Sequence, residues 1–330
     1  MTDIQKKFKM SPQVIRITKP LELGEGPHWD SNSKALYFVD MYNSEIHKYL
    51  PESNLHTSAV VETINDKKPV TFIVPIEGAE DTFLIGYGGE LATVEWNGVS
   101  NTTKNFKTLR VLEENYPAVR LNDGKVSPSG VIFAGSMGEK LKDGQFPPKS
   151  GNLFAYDPST STTKKLLSGL GIANGLTWSL DESIFYFIDS LSGQVKGYDY
   201  DSKNITLSNE RVIFDFRDCH AFDAPHLIPD GMTIDISGHL WIAVHNGGQV
   251  YQINPKTKCI VSVIDFPSKP VTSVAFGGPS VEDLYVTSMH RDLSEEEKKE
   301  QSSAGCLFKV TGLGTKGIEG VGVNLAGLKK

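Results

Sequence analysis

The sequence predicts an all-β chain folded as a six-bladed β-propeller with an axial metal site, and three observations predict it. Six segments read as paired strands joined by a polar turn. They recur at roughly 45 to 55 residues, the length of about four short strands. Four acid or amide residues stand directly ahead of a glycine at one phase of that repeat: Glu25-Gly26, Asp123-Gly124, Asn174-Gly175 and Asp230-Gly231.

The paired strands are Ala35 to Pro51, Asp81 to Gly98, Val131 to Pro158, Ser183 to Asp201, His239 to Pro255 and Asp283 to Gly312. Each opens with an aromatic or branched apolar run, passes an Asn/Ser/Gly turn and resumes in alternation, as half-buried antiparallel strands do. Ahead of five of them lies a short apolar strand with glycine at one end: Gly24 to Asp30, Arg120 to Gly130, Ala173 to Asp181, Pro229 to Gly238 and Thr272 to Ser280. Glycine lets backbones crowd, so these are read as the innermost strands around the axis. An amphipathic helical period longer than two turns is almost absent, which excludes βαβ folds and helical bundles. The exception, Ser294 to Gln301, carries a capping box at Ser294 and Glu297 and is polar all round, the pattern of a solvated surface insertion.

Gln13 to Lys19 is the natural strand to close the ring against the last blade, with Gly317 to Leu325 beside it. No linker rich in Pro, Gly or Ser divides the chain, so residues 1–12 are read as a polar tail and 13–330 as one propeller domain.

The 330 residues carry a net charge of -7, with 39% hydrophobic and 22% charged side chains. That balance, without a basic run interleaved with aromatics, excludes nucleic acid as a main partner. No stretch of about 18 apolar residues and no signal-like apolar core is seen, so the expectation is a cytoplasmic protein with no membrane partner. Cys219, Cys259 and Cys306 form no C-x-x-C pair and are read as reduced, mostly buried thiols. Without a long apolar edge or heptad seam, the expected state is monomer or weak dimer.

Asn-Gly and Asp-Gly are common turn dipeptides, so one alone carries little. Four at one blade phase bring oxygen ligands to one axis, and Glu25 has no turn preference to explain it. Carboxylate and amide oxygens without thiolate suit one hard divalent cation, calcium first, then magnesium or manganese, with zinc last. His220 and His226, in the loop from Cys219 to Pro229, flank the approach to Asp230 and read as solvated; His28 is expected on the other face of its strand. With no G-x-S-x-G elbow, Walker loop or dinucleotide motif, serine nucleophiles and nucleotide cofactors drop out.

At GEGPHWD, RLNDGK, IANGLTWS, YFIDS, PDGMTID and TSVAFGGP the chain resembles the senescence-marker-protein, regucalcin and gluconolactonase family, from about Ile15 to the C-terminus. The ending CLFKVTGLGTKG is similar to insect members of the luciferin-regenerating type. The resemblance implies a calcium-dependent propeller that hydrolyses sugar lactones. It implies that Glu25, Asn174 and Asp230 ligate the metal, that Asp230 is also the general base, and that Arg120 and Asn122 hold the substrate. It therefore points to Asn122, rather than Asp123, as the inward residue of its strand. One departure stands out: where many members carry a second acid, Ser136-Met137-Gly138-Glu139-Lys140 places Lys140, which weighs against a polyhydroxylated lactone. The function implied is metal-assisted opening of a lactone ring. The alternatives are a non-enzymatic calcium-binding regulatory protein, or a propeller hydrolase acting on phosphotriesters or a luciferin-regenerating-type substrate.

Overall fold

The structure, a computed structural model, describes residues 12–63, 67–218 and 227–326. Strand β1 (Gln13–Arg16) precedes a ring of six four-stranded antiparallel sheets. The first blade is β2 (Gly24–Asp30), β3 (Ala35–Asp40), β4 (Glu45–Leu50) and β5 (Leu55–Val60). The second is β6 (Val70–Pro75), β7 (Thr82–Tyr87), β8 (Glu90–Glu95) and β9 (Lys104–Val111). The third is β10 (Val119–Val126), β11 (Ile132–Gly138), β12 (Gly151–Asp157) and β13 (Thr162–Leu170). The fourth is β14 (Ala173–Trp178), β15 (Ile184–Asp189), β16 (Gln194–Asp201) and β17 (Thr206–Asp215). The fifth is β18 (Ile228–Ile234), β19 (Leu240–His245), β20 (Gln249–Asn254) and β21 (Cys259–Asp265). The sixth is β22 (Val271–Gly277), β23 (Asp283–Ser288) and β24 (Phe308–Thr311), completed by β1.

The innermost strands touch in the order β2, β6, β10, β14, β18, β22 and back to β2, so the ring is closed. Closure is made by β1, which pairs antiparallel with β24 from Gln13 against Thr311 to Arg16 against Phe308. That is the seam the sequence predicts; it leaves no open sheet edge between first and last blades. The second blade's innermost strand, Val70–Pro75, carries no acid-glycine pair and had no sequence signature of its own.

Turn chemistry repeats with the blades. Asp30, Asp157, Asp181, Asp201 and Asp235 each accept a backbone N–H two residues on, from Asn32, Ser159, Ser183, Lys203 and Ser237 respectively. These are Asx-turns, which explains why short acid-to-Ser/Asn motifs punctuate the sequence. Between blades, aromatic side chains fill the wedges; Phe133 and Trp178 meet edge to face, with ring centroids 5.0 Å apart. Such pairs add to area burial.

The capping box is present: Ser294 Oγ accepts from Glu297 N at 3.2 Å, and Ser294 N donates to Glu297 Oε2 at 2.8 Å. It starts the single α-helix among the described residues, α1 (Glu295–Glu300), which buries none of its residues. Among the described residues no helix is long and apolar enough to cross a membrane. Two expectations are corrected. Cys306 is buried but Cys259 is exposed, because β21 is an outermost strand with one face to solvent; Cys219 lies outside the described residues. Gly317 to Leu325 does not lie beside the closing strand. Gly317 N donates to Val281 O at 2.9 Å and Val323 N to Pro75 O at 3.0 Å, so the segment crosses from the sixth blade to the second at the end of the axis where the innermost strands finish.

Each innermost strand breaks register at the same height. The ladder skips between Leu121 and Gly124, Ala173 and Leu176, Pro229 and Met232, Val271 and Val274, Glu25 and His28, and Val70 and Phe72. These are β-bulges, which bend a strand and re-aim its side chains. Backbones crowd there: a methyl on Gly175 would sit 2.5 Å from Asp230 O and 2.7 Å from Met232 N. Gly175→Ala is therefore expected to cost about 1–3 kcal/mol, the range for overpacking. A thermal midpoint lowered by several degrees checks this, and an unchanged midpoint would refute the crowding argument.

Candidate metal and substrate site

The bulges set which residues share a height. Gly24 pairs with Asp40 as Ala173 pairs with Asp189, so Glu25 and Asn174 occupy equivalent positions. Asn122 and Asp230 are each the first residue skipped by their ladders, as Asn174 is; Thr71 and Thr272 take the same position in the other two blades. All six of these polar side chains are buried. Asp123 falls one residue later, in phase with Gly175 and Gly231, because the extra residue of the bulge shifts the count. The glycine alignment that placed Asp123 with Glu25 is thus corrected by one residue, in favour of Asn122.

The hydrogen bonds hold this upper end of the axis together. Asn122 Oδ1 accepts from Arg120 Nη1 at 3.0 Å, while its Nδ2 donates to Ala173 O at 3.0 Å, tying the third blade to the fourth. Asn174 Nδ2 donates to Ser190 Oγ at 3.0 Å, and Ser190 Oγ donates to Pro229 O at 2.7 Å, tying the fourth to the fifth. With a donor of Asn174 so committed, the amide orientation is set and Oδ1 remains as a ligand atom. Thr272 Oγ1 donates to Gly24 O at 2.6 Å, which joins the sixth blade to the first.

Electrostatics make the cluster costly. Burial, followed by the Asp230 and Asp123 carboxylates, pushes Glu25 well above the usual carboxylate range. Asp230 is likewise pushed well up, by burial first and then by Asp123. Asp123 itself rises to about 6, mainly through burial, with Lys125 opposing. Three acids facing one another in low dielectric cannot all ionise without a counter-charge. Arg120 partly compensates Glu25, but it is itself engaged: its Nε lies 3.1 Å from Glu139 Oε1. That contact is an ion pair without the alignment of a hydrogen bond, since the buried Nε–H has no acceptor in line. A divalent cation among oxygens of Glu25, Asn174 and Asp230 fits this donor set and would relieve the repulsion.

One residue escaped the sequence reading. His245 ends β19, where Ile228 pairs with it, and its Nδ1 stands 3.7 Å from Asp230 Oδ2. Burial pulls its imidazole down to about 4, so the ring is neutral at neutral pH, with Nδ1 buried and unbonded. The signal was available in principle, since the end of each second strand returns to the height of the site. The expectation for His220 and His226 concerns residues outside those described.

Above the site, Lys140 Nζ meets Asp292 Oδ2 at 2.9 Å. Lys140 follows the third blade's β11 and Asp292 follows the sixth blade's β23, so this ion pair spans opposite sides of the upper mouth. Arg291 lies over the Tyr42 ring, 4.1 Å from its centroid, on the same rim.

A second group also has metal-ligand character. Asp40, Glu45 and His47 bring three potential ligand atoms within 4.8 Å of one another in the first blade and could hold a metal. Asp40, however, already accepts from Glu22 N at 3.0 Å, Leu23 N at 3.2 Å and Asn43 Nδ2 at 3.0 Å, and so ties down the chain entering β2. Asp189 plays that part in the fourth blade for Gly171 and Ile172. The axial cluster, with its buried uncompensated carboxylates, has the greater need of a cation.

A pH dependence follows for the metal-free protein. Because the folded-state values of Glu25 and Asp230 are raised, the folded chain binds protons more tightly than the unfolded one, and stability falls as pH rises from about 4 through those raised values. Calcium is expected to raise the thermal midpoint more at pH 8 than at pH 5, measured against a chelated control. Equal shifts at both pH values would contradict the burial of these acids at one cation site.

Comparison with known proteins agrees with the fold. The SMP-30/Gluconolactonase/LRE-like region matches residues 23–290. Regucalcin of Danio rerio is 37% identical over 297 residues, covering 90% of this chain and 93% of that protein. Human regucalcin is 34% identical over 300 residues, covering 89% and 92%. A luciferin-regenerating enzyme superposes with a TM-score of 0.87 at 35% identity, over 96% of this chain and all of that one. A calcium-binding regucalcin of Agrobacterium tumefaciens shares the fold, with a TM-score of 0.81 at 23% identity over 94% and 97%. On sequence and overall fold alike, this six-bladed propeller belongs to the SMP-30/gluconolactonase/LRE-like family.

Proposed function

We propose that this protein is a divalent-metal-dependent hydrolase that opens a lactone ring at the upper end of the propeller axis. The observation that carries the reading is the convergence of buried Glu25 and Asp230 with half-buried Asp123 as mutually repelling acids beside Asn174, with Arg120 and Asn122 on the same wall. Glu25, Asn174 and Asp230 would hold the ion, calcium being the best match to an all-oxygen set. Bound there, a divalent ion supplies Lewis acidity toward an ester carbonyl.

The chain's own groups do the rest. Arg120, fixed to Asn122 and Leu121 O, presents a rigid donor face that orients the ring oxygens of the substrate. Asp230, beside the ion, would position the attacking water and receive its proton, although ligation of a dication lowers a carboxylate's basicity. Neutral His245, 3.7 Å away with Nδ1 unbonded, lines the same site beside that carboxylate. Lys140 and Asp292 roof the site, so substrate entry requires their surface ion pair to part, a contact worth at most about 1 kcal/mol. A roof made of a lysine and an acid, rather than two acids, favours a lactone less hydroxylated than a sugar.

Purified protein assayed with calcium, magnesium, manganese or zinc on gluconolactone, an aromatic lactone and a phosphotriester tests the reading. Turnover of a lactone is expected, fastest on the aromatic one. Tight calcium binding without turnover of any substrate would instead support a calcium-binding regulatory protein. Asp230→Ala is expected to lower kcat by about 10²–10⁴, the usual worth of a general base, and to weaken metal binding as well. Near-normal activity in that variant would remove both roles. His47→Gln should leave metal content and turnover unchanged; loss of the ion there would place it in the first blade rather than on the axis.

A further inference from the structure

The opposite end of the axis is built differently. The segment from Gly317 to Val323 is pinned at both ends, by Gly317 N to Val281 O at 2.9 Å and by Val323 N to Pro75 O and Glu77 N to Val323 O at 3.0 and 2.9 Å. Between those pins it passes over the axis and partly closes a cavity of about 280 Å³. The walls are the finishing ends of innermost strands, with Trp178, Ile234 and Phe276, and the cover contributes Ile318 and Val321. We propose that this lower cavity is a second binding site, for an uncharged two-ring molecule carrying one hydrogen-bond acceptor.

Four observations define that ligand. Size comes first: the volume lies at the small end of ligand pockets and suits about two fused rings. Second, apolar side chains are left uncovered at its mouth, with Leu180 53% and Ile318 45% exposed, a cost that an apolar occupant would remove. Third, two polar groups face this apolar space with capacity to spare. Lys125 Nζ spends one N–H on Met232 O at 2.9 Å, leaving two. The His28 ring, with Gly320 packed against its edge, hydrogen-bonds to no described residue. The sequence reading had set His28 on the other face of its strand; the bulge after Glu25 turns it to the axis instead. Fourth, charge selects against anions. Lys125 is already faced by Asp123, burial holds His28 down at about 4 and therefore neutral, and Glu182 and Glu319 stand at the rim.

The site is separate from the upper one. Between them lies a void of only about 20 Å³, lined by His28, Lys125, Asp123 and Gly26 among others. That is room for a single water, so the ligand cannot pass.

The neutral two-ring ketone dye 6-propionyl-2-dimethylaminonaphthalene, whose emission moves to the blue in apolar surroundings, tests the proposal on the intact protein. Saturable binding of one dye per chain in the micromolar range is expected. Lys125→Met, which removes the donor, is expected to weaken it about tenfold. Ile318→Glu, on the exposed cover and so without consequence for folding, is expected to weaken it similarly, while Asp230→Ala leaves it unchanged. The anion 2-naphthoate is expected to compete poorly. No saturable blue shift, undiminished wild-type affinity in both Lys125→Met and Ile318→Glu, preferential binding of the anion, or loss of binding in Asp230→Ala would each overturn the site.

Discussion

Six strands crowding around one axis is the constraint from which the rest follows. Where β14 approaches β18 and β18 approaches β22, added methyls on Gly175 and Gly231 would meet backbone atoms at 2.5 and 2.6 Å. Side chains at that height must be absent or point along the axis. The bulges solve the problem by turning one polar residue per blade inward, which gathers Glu25, Asn122, Asn174 and Asp230 into a small buried volume. Charge concentration is then a consequence of closure. An ordinary core would not tolerate it, since burying unpaired carboxylates costs several kcal/mol.

The two ends of the axis answer that constraint with different chemistry. At the upper end, where innermost strands begin, bulges and Asn/Ser hydrogen bonds stitch neighbouring blades through polar atoms and leave oxygens free. At the lower end the same strands finish in Trp178, Ile234 and Phe276, and a crossing segment replaces a polar rim with an apolar cover. Between them Lys125 and Asp123 influence each other through space without an ion-pair contact, each pulled by burial toward its neutral form, Lys125 down to about 8 and Asp123 up to about 6. The lysine lets one half-buried acid beside the cluster be balanced from below without occupying a ligand position.

Lys140 illustrates how a single residue acquires meaning only in three dimensions. In sequence it is only a lysine two residues beyond the end of a strand. In the folded ring it reaches the opposite blade and pairs with Asp292, in the segment leading to the capped helix. Two surface insertions, distant in sequence, thereby become one roof. His245 shares the field of both charges, with Asp292 raising and Lys140 lowering its proton affinity, although burial dominates.

Blade count, the closing strand, the capping box and the shared phase of Glu25, Asn174 and Asp230 were readable directly, because each depends on contacts within one hairpin or between adjacent strands, whose periodicity is written residue by residue. Val70–Pro75 was not, since its inward residue is Thr71 and no acid marks it. Whether Asn122 or Asp123 faces the axis depended on a bulge, a choice made by packing against neighbouring blades. His245 and His28 acquired their surroundings only when separate blades met, as did the Lys140 roof. The path of Gly317 to Val323 was decided last of all, by an open lower mouth that exists only once the ring has closed, and local sequence carries no record of a surface that six distant segments build together.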